Sequence, residues 1–379
     1  MKVLVLAGGF DQIALIKEIK KRGCEVILAD FYENPLAKNY ADIHFQISTL
    51  DEEKIYELAK QENVDLITTA CTDQALLTMA RVSSKLGLPC YISENVALLV
   101  TDKYYMKQKM KEEGISSADC VLIGRRDEFN SVIDKIKKFP QIIKPCDCNS
   151  SKGVIKVNDK EELIRAANEA FKLSRSGKIL IEEFVEGIEV SIDVWSRDHE
   201  IEILSISKTC KTKENKNCFT ICRSVYPVEG IEKVEKKIKK IAQHIANSFH
   251  LTNCPILIQA IIHNEDVYII EFSARMGGGT KYELINKVSD IDIIKFYVDR
   301  IMGKVNQELN IKKNNMALEI NYVYSDNGTV TEISGLEDLK ERKIIDNYFV
   351  YKPLGSTILK KTTSSDRVLG FLISASTKN

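Results

Sequence analysis

The sequence predicts an α/β fold, with a doubly wound parallel sheet at the N-terminus and an α+β arrangement in the C-terminal half. Three observations predict it. Up to about residue 95, short apolar runs alternate with helix-periodic segments punctuated by capping residues and glycines. From Pro255 to Lys281 two apolar strands are followed by a glycine-rich turn and a helix start. After residue 304 strands return, split by Asp326-Asn327-Gly328-Thr329.

Taken in order, residues 2–7 read as a buried strand, Gly8-Gly9 as a turn, and Ile13, Ile16 and Ile19 as the apolar face of a helix ending at Gly23. A second strand, Glu25–Ala29, ends at Asp30. This order resembles a dinucleotide site, but only Ala7-Gly8-Gly9 stands where a GxGxxG fingerprint is needed. A strand around His44–Ile47, a helix from Asp51 to Gln61, a strand at Asp65–Thr69, a helix from Gln74 to Leu86 stopped by Gly87, and a strand at Pro89–Ile92 complete the unit. Thr101-Asp102 then caps a helix running from Lys103 to Glu113.

Lys144 closes an apolar strand, Phe139–Pro145, and precedes a small-residue loop, Asp147–Val154, which reads locally as a polar turn or a phosphate-approaching loop. A helix at Glu161–Leu173 leads to the strand Lys178–Phe184, and two more strands, Val190–Ser196 and Glu202–Lys208, precede a basic loop with Lys208, Lys211, Lys213, Lys216 and Arg223. Such a run is either a solvated face or a contact for an anionic substrate. Helical spacing of apolar residues from Ile231 to Phe249 predicts a helix packed on the core.

The strands Ile256–Ile262 and Val267–Phe272 form a hairpin through His263-Asn264-Glu265-Asp266, bringing Gln259 beside Glu271. Simple alternation back from Glu271 through Ile269 and Val267 puts these on one face, with Ser273 and Arg275 continuing it. A buried glutamate there needs a cation or a donor. Gly277-Gly278-Gly279-Thr280 before the helix Tyr282–Val288 reads as an anion nest.

Bulk properties restrict the function classes. A 379-residue chain with 44% apolar and 28% charged residues fits two or three globular domains. Lys+Arg and Asp+Glu balance at 54 each, so no net field recruits nucleic acid or an anionic membrane. The start, MKVLVLAGG, is too short an apolar run for a signal peptide, no later run approaches the ~18 apolar residues of a spanning helix, and a cytoplasmic protein is expected. Ten cysteines lack zinc spacing and read as reduced thiols, and five isolated histidines give no support to Ser-His-Asp chemistry.

Gln259, Glu271, Ser273 and Arg275 together resemble the metal-binding end of an ATP-grasp carboxylate–amine ligase, of the L-amino-acid ligase and carbamoyl phosphate synthase large-subunit type. Gln and Ser stand where Glu and Asn are more usual. The resemblance implies ATP held between two α+β subdomains, with boundaries at 1–97 for the Rossmann-like domain, 98–187 for the lid with its linker helix, 188–304 for the metal subdomain and 305–379 for a C-terminal α+β segment. It implies Mg²⁺, with Mn²⁺ as a substitute, on Gln259, Glu271 and Ser273. Lys103 and Lys144 would hold phosphates beneath a loop with Ser150, Ser151 and Gly153. The adenine hinge would be Glu183, Phe184 and Val185, with Glu182 beside the amino group and Glu189 on the ribose. Arg275 would stabilise the transferring phosphoryl group, the nest centred on Gly278 would take an acyl phosphate or carboxylate, and Lys208 or Arg223 would reach phosphate or substrate. The implied reaction activates a small carboxylate, an amino acid or similar metabolite, as an acyl phosphate and joins it to an amine. A glycinamide-ribonucleotide-like or carbamoyl-phosphate-synthase-like ligase and a non-catalytic nucleotide-binding protein are the alternatives. Family members are frequently homodimers.

Overall fold

The computed structural model describes residues 1–198, 200–212, 219–304, 308–358 and 363–376, and the elements below are those of these residues. Strands β1 (Lys2–Leu6), β2 (Glu25–Asp30), β3 (Ile43–Gln46) and β4 (Leu66–Thr68) form a parallel sheet in the order β3-β2-β1-β4. Its central strands are apolar throughout because helices cover both faces. On one face α1 (Phe10–Lys20) sets Leu15, Ile16 and Ile19 against Val3, Val5 and Leu28. On the other, α2 (Glu52–Gln61) and α3 (Asp73–Leu86) bring Ile55, Leu76 and Met79 to Leu4, Leu6 and Ile27. The doubly wound expectation holds, with one correction: Pro89–Ile92 is not a strand. Ser93 accepts a hydrogen bond from Val96 N at 3.3 Å and starts α4 (Glu94–Thr101), so the segment before it serves as a helix entry.

Helix α5 (Lys103–Glu112) leads into a smaller antiparallel unit of β5 (Cys120–Ile123), α6 (Phe129–Ile133), β6 (Gln141–Pro145), β7 (Ile155–Val157), α7 (Lys160–Leu173) and β8 (Ile179–Glu183), with strand order β5-β8-β6-β7. Ile123, Phe129, Ile143, Leu163 and Ile181 give it a core of its own.

The remaining principal elements are β9 (Ile188–Arg197), β10 (Glu200–Lys211), β11 (Ile221–Tyr226), α8 (Glu235–Ser248), β12 (Cys254–His263), β13 (Asp266–Ser273), α9 (Lys281–Ser289), α10 (Ile293–Ile301), β14 (Met316–Val323), β15 (Gly328–Thr329), α11 (Leu336–Glu341), β16 (Asn347–Val350), β17 (Thr357–Ile358) and β18 (Leu369–Ser376). An eight-stranded sheet runs β13-β12-β9-β10-β11-β14-β18-β16, so strands from beyond residue 304 extend the same sheet. Its apolar residues Val190, Ile192, Ile256 and Ile258 share a core with α8 and the N-terminal sheet. The predicted strand Thr329–Ile333 shrinks to β15, paired with β17, because most of that stretch is exposed and has no apolar surface to cover. The predicted basic loop is also corrected: Lys208 and Lys211 end β10, Arg223 sits within β11, and Lys213 and Lys216 lie outside the described residues.

Hairpin β12–β13 turns through Asn264-Glu265, both at positive φ (46° and 68°), closed by the pair His263 and Asp266. Gln259 lies opposite Glu271 as expected, but the next pair is Ala260 with Ile269, leaving Ile270 as a bulge. Val267, Ile269 and Phe272 therefore face the core, while Glu271 and Ser273 face the cleft with Leu257 and Gln259. Glu271 and Ser273 share the face of Gln259 by regular pairing, as expected, while the bulge turns Val267 and Ile269 to the opposite face.

Candidate functional site

A cleft of about 1190 Å³ opens between the small antiparallel unit, the eight-stranded sheet and the ends of β1 and β4. Helix α5 supplies its floor. Asp102 caps the helix by accepting from Tyr104 N at 2.8 Å, which aims Lys103 and, one turn later, Lys107 inward. Lys103 Nζ lies 3.0 Å from Glu271 Oε2 and donates to the Cys148 carbonyl at 2.9 Å. Lys107 Nζ lies 2.7 Å from Glu182 Oε1 and donates to the Ile269 carbonyl at 3.0 Å; Lys144 Nζ reaches Glu182 Oε2 at 2.5 Å. Three buried lysines thus face two carboxylates.

Burial opposes charge on Glu182, yet Lys107 and Lys144 outweigh it and hold the carboxyl at about 2. Burial likewise opposes charge on Glu271, and Lys103 with Lys144 holds it below the ordinary carboxylate value. Both acids stay ionised at neutral pH. The glutamate cost anticipated from the strand pattern is met by Lys103, a lysine far away in sequence. Glu182, expected beside an adenine amino group, has its carboxylate paired with both Lys107 and Lys144.

At the opposite end of the cleft the hinge differs in detail from expectation. Glu183 N donates to the Asp119 carbonyl at 2.9 Å and Phe184 N to the Pro140 carbonyl at 3.2 Å, which leaves Val185 as the hinge residue whose N–H those bonds do not consume. The Phe184 ring lies 3.5 Å from Lys156 Nζ, and Glu189 is paired with Lys211. Ser150 and Ser151 both adopt positive φ, and the loop reaches across the cleft: Ser151 Oγ donates to the Phe219 carbonyl at 3.2 Å and Ser364 N to the Ser150 carbonyl at 3.3 Å. At Gly153, also at positive φ (74°), a Cβ would press on Leu173 and Pro145, so glycine is required at the loop's return.

Beyond Glu271, Ser273 is 4% exposed and its hydroxyl lies against Asp73 without a well-formed hydrogen bond. Arg275 makes a two-pronged pair with Asp73, the first residue of α3, with Nε to Oδ1 at 2.7 Å, and donates from Nη1 to the Met276 carbonyl at 2.8 Å. Against burial, Arg275 holds the Asp73 carboxyl below its ordinary value. The glycine nest is not open: Gly279 N and Thr280 N donate to the carboxylate of Asp11 at 3.1 and 2.9 Å. Gly278, the centre of the expected nest, lines the cleft, while the N–H groups of Gly279 and Thr280 are satisfied by a protein carboxylate. Lys281, the next residue, is buried, hydrogen-bonded to Ser207, and pushed down to about 8 by burial in spite of Asp193.

The structure brings together Lys103, Lys144, Ser150, Ser151, Glu182, Glu183, Phe184, Val185, Glu189, Lys208, Gln259, Glu271, Arg275 and Gly278 along this cleft, with Ser273 at its inner end. It does not bring Arg223 there. Arg223 points to the other face of β11, exposed, with Nη1 3.4 Å from Glu319 Oε2, while its neighbour Ser224 faces the cleft. Sequence reasoning missed Asp11, Asp73, Lys107, Lys281 and Arg367. Lys107 had a signal, its one-turn spacing from Lys103; Asp11 and Asp73 read as ordinary first-turn acids, and Arg367 had none.

Residues 137–283 match the family model for the ATP-grasp domain. A formate-dependent phosphoribosylglycinamide formyltransferase of Prochlorococcus marinus subsp. pastoris is 27% identical over 287 residues, covering 72% of this chain and 70% of that protein. A D-alanine–D-alanine ligase of Ruminiclostridium cellulolyticum is 26% identical over 219 residues, 50% of this chain; the match spans 57% of that ligase, little more than half its length. Among solved structures, the L-amino acid ligase of Bacillus licheniformis superposes with a TM-score of 0.81 at 19% identity, covering 99% of this chain and 93% of that one. No described helix is long and apolar enough to cross a membrane, and the described cysteines are free.

Proposed function

We propose that this chain, a member of the ATP-grasp superfamily, is an ATP-dependent ligase that activates a carboxylate as an acyl phosphate and joins it to an amine. The observation that carries this reading is the lysine cluster at the floor of the cleft, where Lys103 and Lys144 line the cavity and Lys107 lies buried behind them, three cations against the carboxylates Glu271 and Glu182. Such a floor is short of negative charge, which a polyphosphate supplies through charge-assisted hydrogen bonds. The cleft volume exceeds the few hundred to about 1,000 Å³ of a usual ligand pocket and leaves space for a nucleotide and a second substrate.

In this reading Val185 offers the hinge N–H to adenine, Glu189 meets the ribose after releasing Lys211, and Ser150, Ser151 and Gly153 close over phosphates gripped by Lys103 and Lys144. Glu271, Gln259 and Ser273 present oxygens on one face of the β12–β13 hairpin, a donor set that fits Mg²⁺ when phosphates complete it. Among the described residues there is no cluster of three or more His, Cys, Asp or Glu side chains suited to a metal, so the triphosphate itself would hold much of the ion. Bound Mg²⁺ would neutralise phosphate charge. Arg275, held by Asp73, orients toward the transferring phosphoryl group, and positioning with charge neutralisation supplies most of the catalysis. Lys208 lines the cleft and is exposed, available to substrate; Arg223 has no part in the site.

An amino acid is the preferred carboxylate, by similarity to the amino-acid ligases. A ribonucleotide amine is the second reading, favoured by the formyltransferase that matches 72% of the chain. The cytoplasmic location belongs to the same proposal. The test is phosphate release from Mg-ATP with amino acids and ribosylamine phosphates supplied singly and in pairs, followed by product mass. Release that depends on one pair supports the ligase; ATP binding with no release for any pair contradicts it.

A further inference from the structure

Arg367 precedes β18 and is fixed by the pairing of that strand with β14, where Val323 lies opposite Leu369. Its guanidinium stacks on Tyr322, 4.2 Å from Cζ to ring centroid, with Tyr351 at 5.6 Å, and it lines the cleft. It also lies against Gly279, where a Cβ would strike Nη1, and Tyr322 Oη donates to the Gly279 carbonyl at 2.7 Å. Its Nε is buried and has no hydrogen-bond partner. Its contacts are chiefly with the tyrosines 322, 324 and 351; Asp11 and Lys281 lie near enough to feel its charge, but among the described residues no carboxylate forms an ion pair with it. Of the acids on this wall, Asp11 is committed to the N–H groups of Gly279 and Thr280, and Asp366 accepts from the Thr363 hydroxyl. A desolvated guanidinium without a contact counter-ion is costly, and the missing partner is an anion that enters through the cleft.

We propose that Arg367 is the subsite for the free carboxylate of the amine-bearing substrate, which makes that substrate an amino acid. The proposal rests on the ligase reading and deepens it. A guanidinium fork matches the two oxygens of a carboxylate, and one cation caged by uncharged tyrosines balances a monoanion, whereas a phosphomonoester dianion calls for more than one. Four residues upstream of Gly279, Arg275 marks the end where the donor carboxylate is activated, so an acceptor anchored at Arg367 presents its amine along the same turn. The segment is also tied to nucleotide binding, because Ser364 donates from its N–H to Ser150 in the phosphate loop.

The test is calorimetric titration of the full chain, loaded with Mg-ADP, with each proteinogenic L-amino acid, the corresponding C-terminal amide, and ribose 5-phosphate. At least one amino acid binds, its amide binds about tenfold to a hundredfold more weakly, and Arg367→Gln lowers affinity for the acid by a similar factor while leaving the amide and Mg-ADP unchanged. If Arg367→Gln does not fold, the acid-to-amide ratio of the wild type and the partial loss expected for Arg367→Lys decide the matter. Equal affinity for acid and amide overturns the proposal, as does binding of no amino acid, or ribose 5-phosphate being the anion whose binding the substitution removes. Failure of the ligase reading looks different: acid preference through Arg367 would persist while no pair of cosubstrates released phosphate.

Discussion

Glu182 is the residue on which two buried lysines depend. Removing it by Glu182→Ala leaves Lys107 and Lys144 without their shared anion, and the expected cost is about 3–5 kcal/mol in a chemical denaturation curve. Its titration has a defined sign. The carboxyl moves from an ordinary value of 4.5 to about 2 on folding, so between those values the unfolded chain binds more protons and stability rises with pH. The contribution is complete above about 4.5 and is lost as pH falls toward about 2; Glu182→Gln should flatten the denaturation midpoint across that window. An unchanged slope in the variant would assign the acid sensitivity elsewhere. At this scale the lysines Lys103 and Lys144 were legible in the sequence, because a capped helix start and a strand ending in Lys-Pro are local patterns. Their partners were not, because ion pairs between distant segments leave no local trace.

The element that sets the chemistry is the hairpin β12–β13, and its register determines which side chains enter the cleft. Deleting Ile270 restores regular pairing with Ala260 still opposite Ile269 and Gln259 still opposite Glu271, so Glu271 and Ser273 keep the cleft face. The deletion variant is therefore expected to keep ATP turnover; complete loss of turnover in a folded variant would show that the register around Glu271 is not the one that the bulge sets. A second element, the approach to β9, depends on Gly187, where a Cβ would collide with the carbonyl of Ile262 in β12. Gly187→Ala should destabilise by about 1–3 kcal/mol and weaken ADP binding through the adjacent hinge, measured by denaturation and calorimetry. The turn at Asn264-Glu265 was legible from its polar residues, whereas the bulge was not, since it belongs to the pairing of two strands and neither strand's own alternation reports it. Strand β11 escaped for a related reason: although it pairs with β10 before it, its other partner, β14, lies in the C-terminal segment, far away in sequence.

Across the whole molecule, the parallel domain and the eight-stranded sheet share one apolar core, while the small antiparallel unit has its own. The site lies where the three meet, and the Asp73–Arg275 pair, 202 positions apart, joins the first to the second. Asp73→Asn keeps the shape and removes the charge that orients the guanidinium; turnover should fall about 10- to 100-fold with little change in the KM for ATP. A change confined to KM would indicate a nucleotide-binding role in its place. The fold class was legible because alternation of strands, helices and glycines recurs along the first domain, and the order of site motifs followed the chain. The closing contacts made by residues 363–367 were not, because only the completed sheet carries them to the cleft. The central claim is that this cleft makes an acyl phosphate. Positional isotope exchange of β,γ-bridging oxygen-18 in ATP tests it directly, with the carboxylate substrate present and the amine withheld. The account predicts Mg²⁺-dependent exchange in the wild type and none in Glu271→Ala; absence of exchange in the wild type, under conditions where the complete reaction turns over, would contradict it.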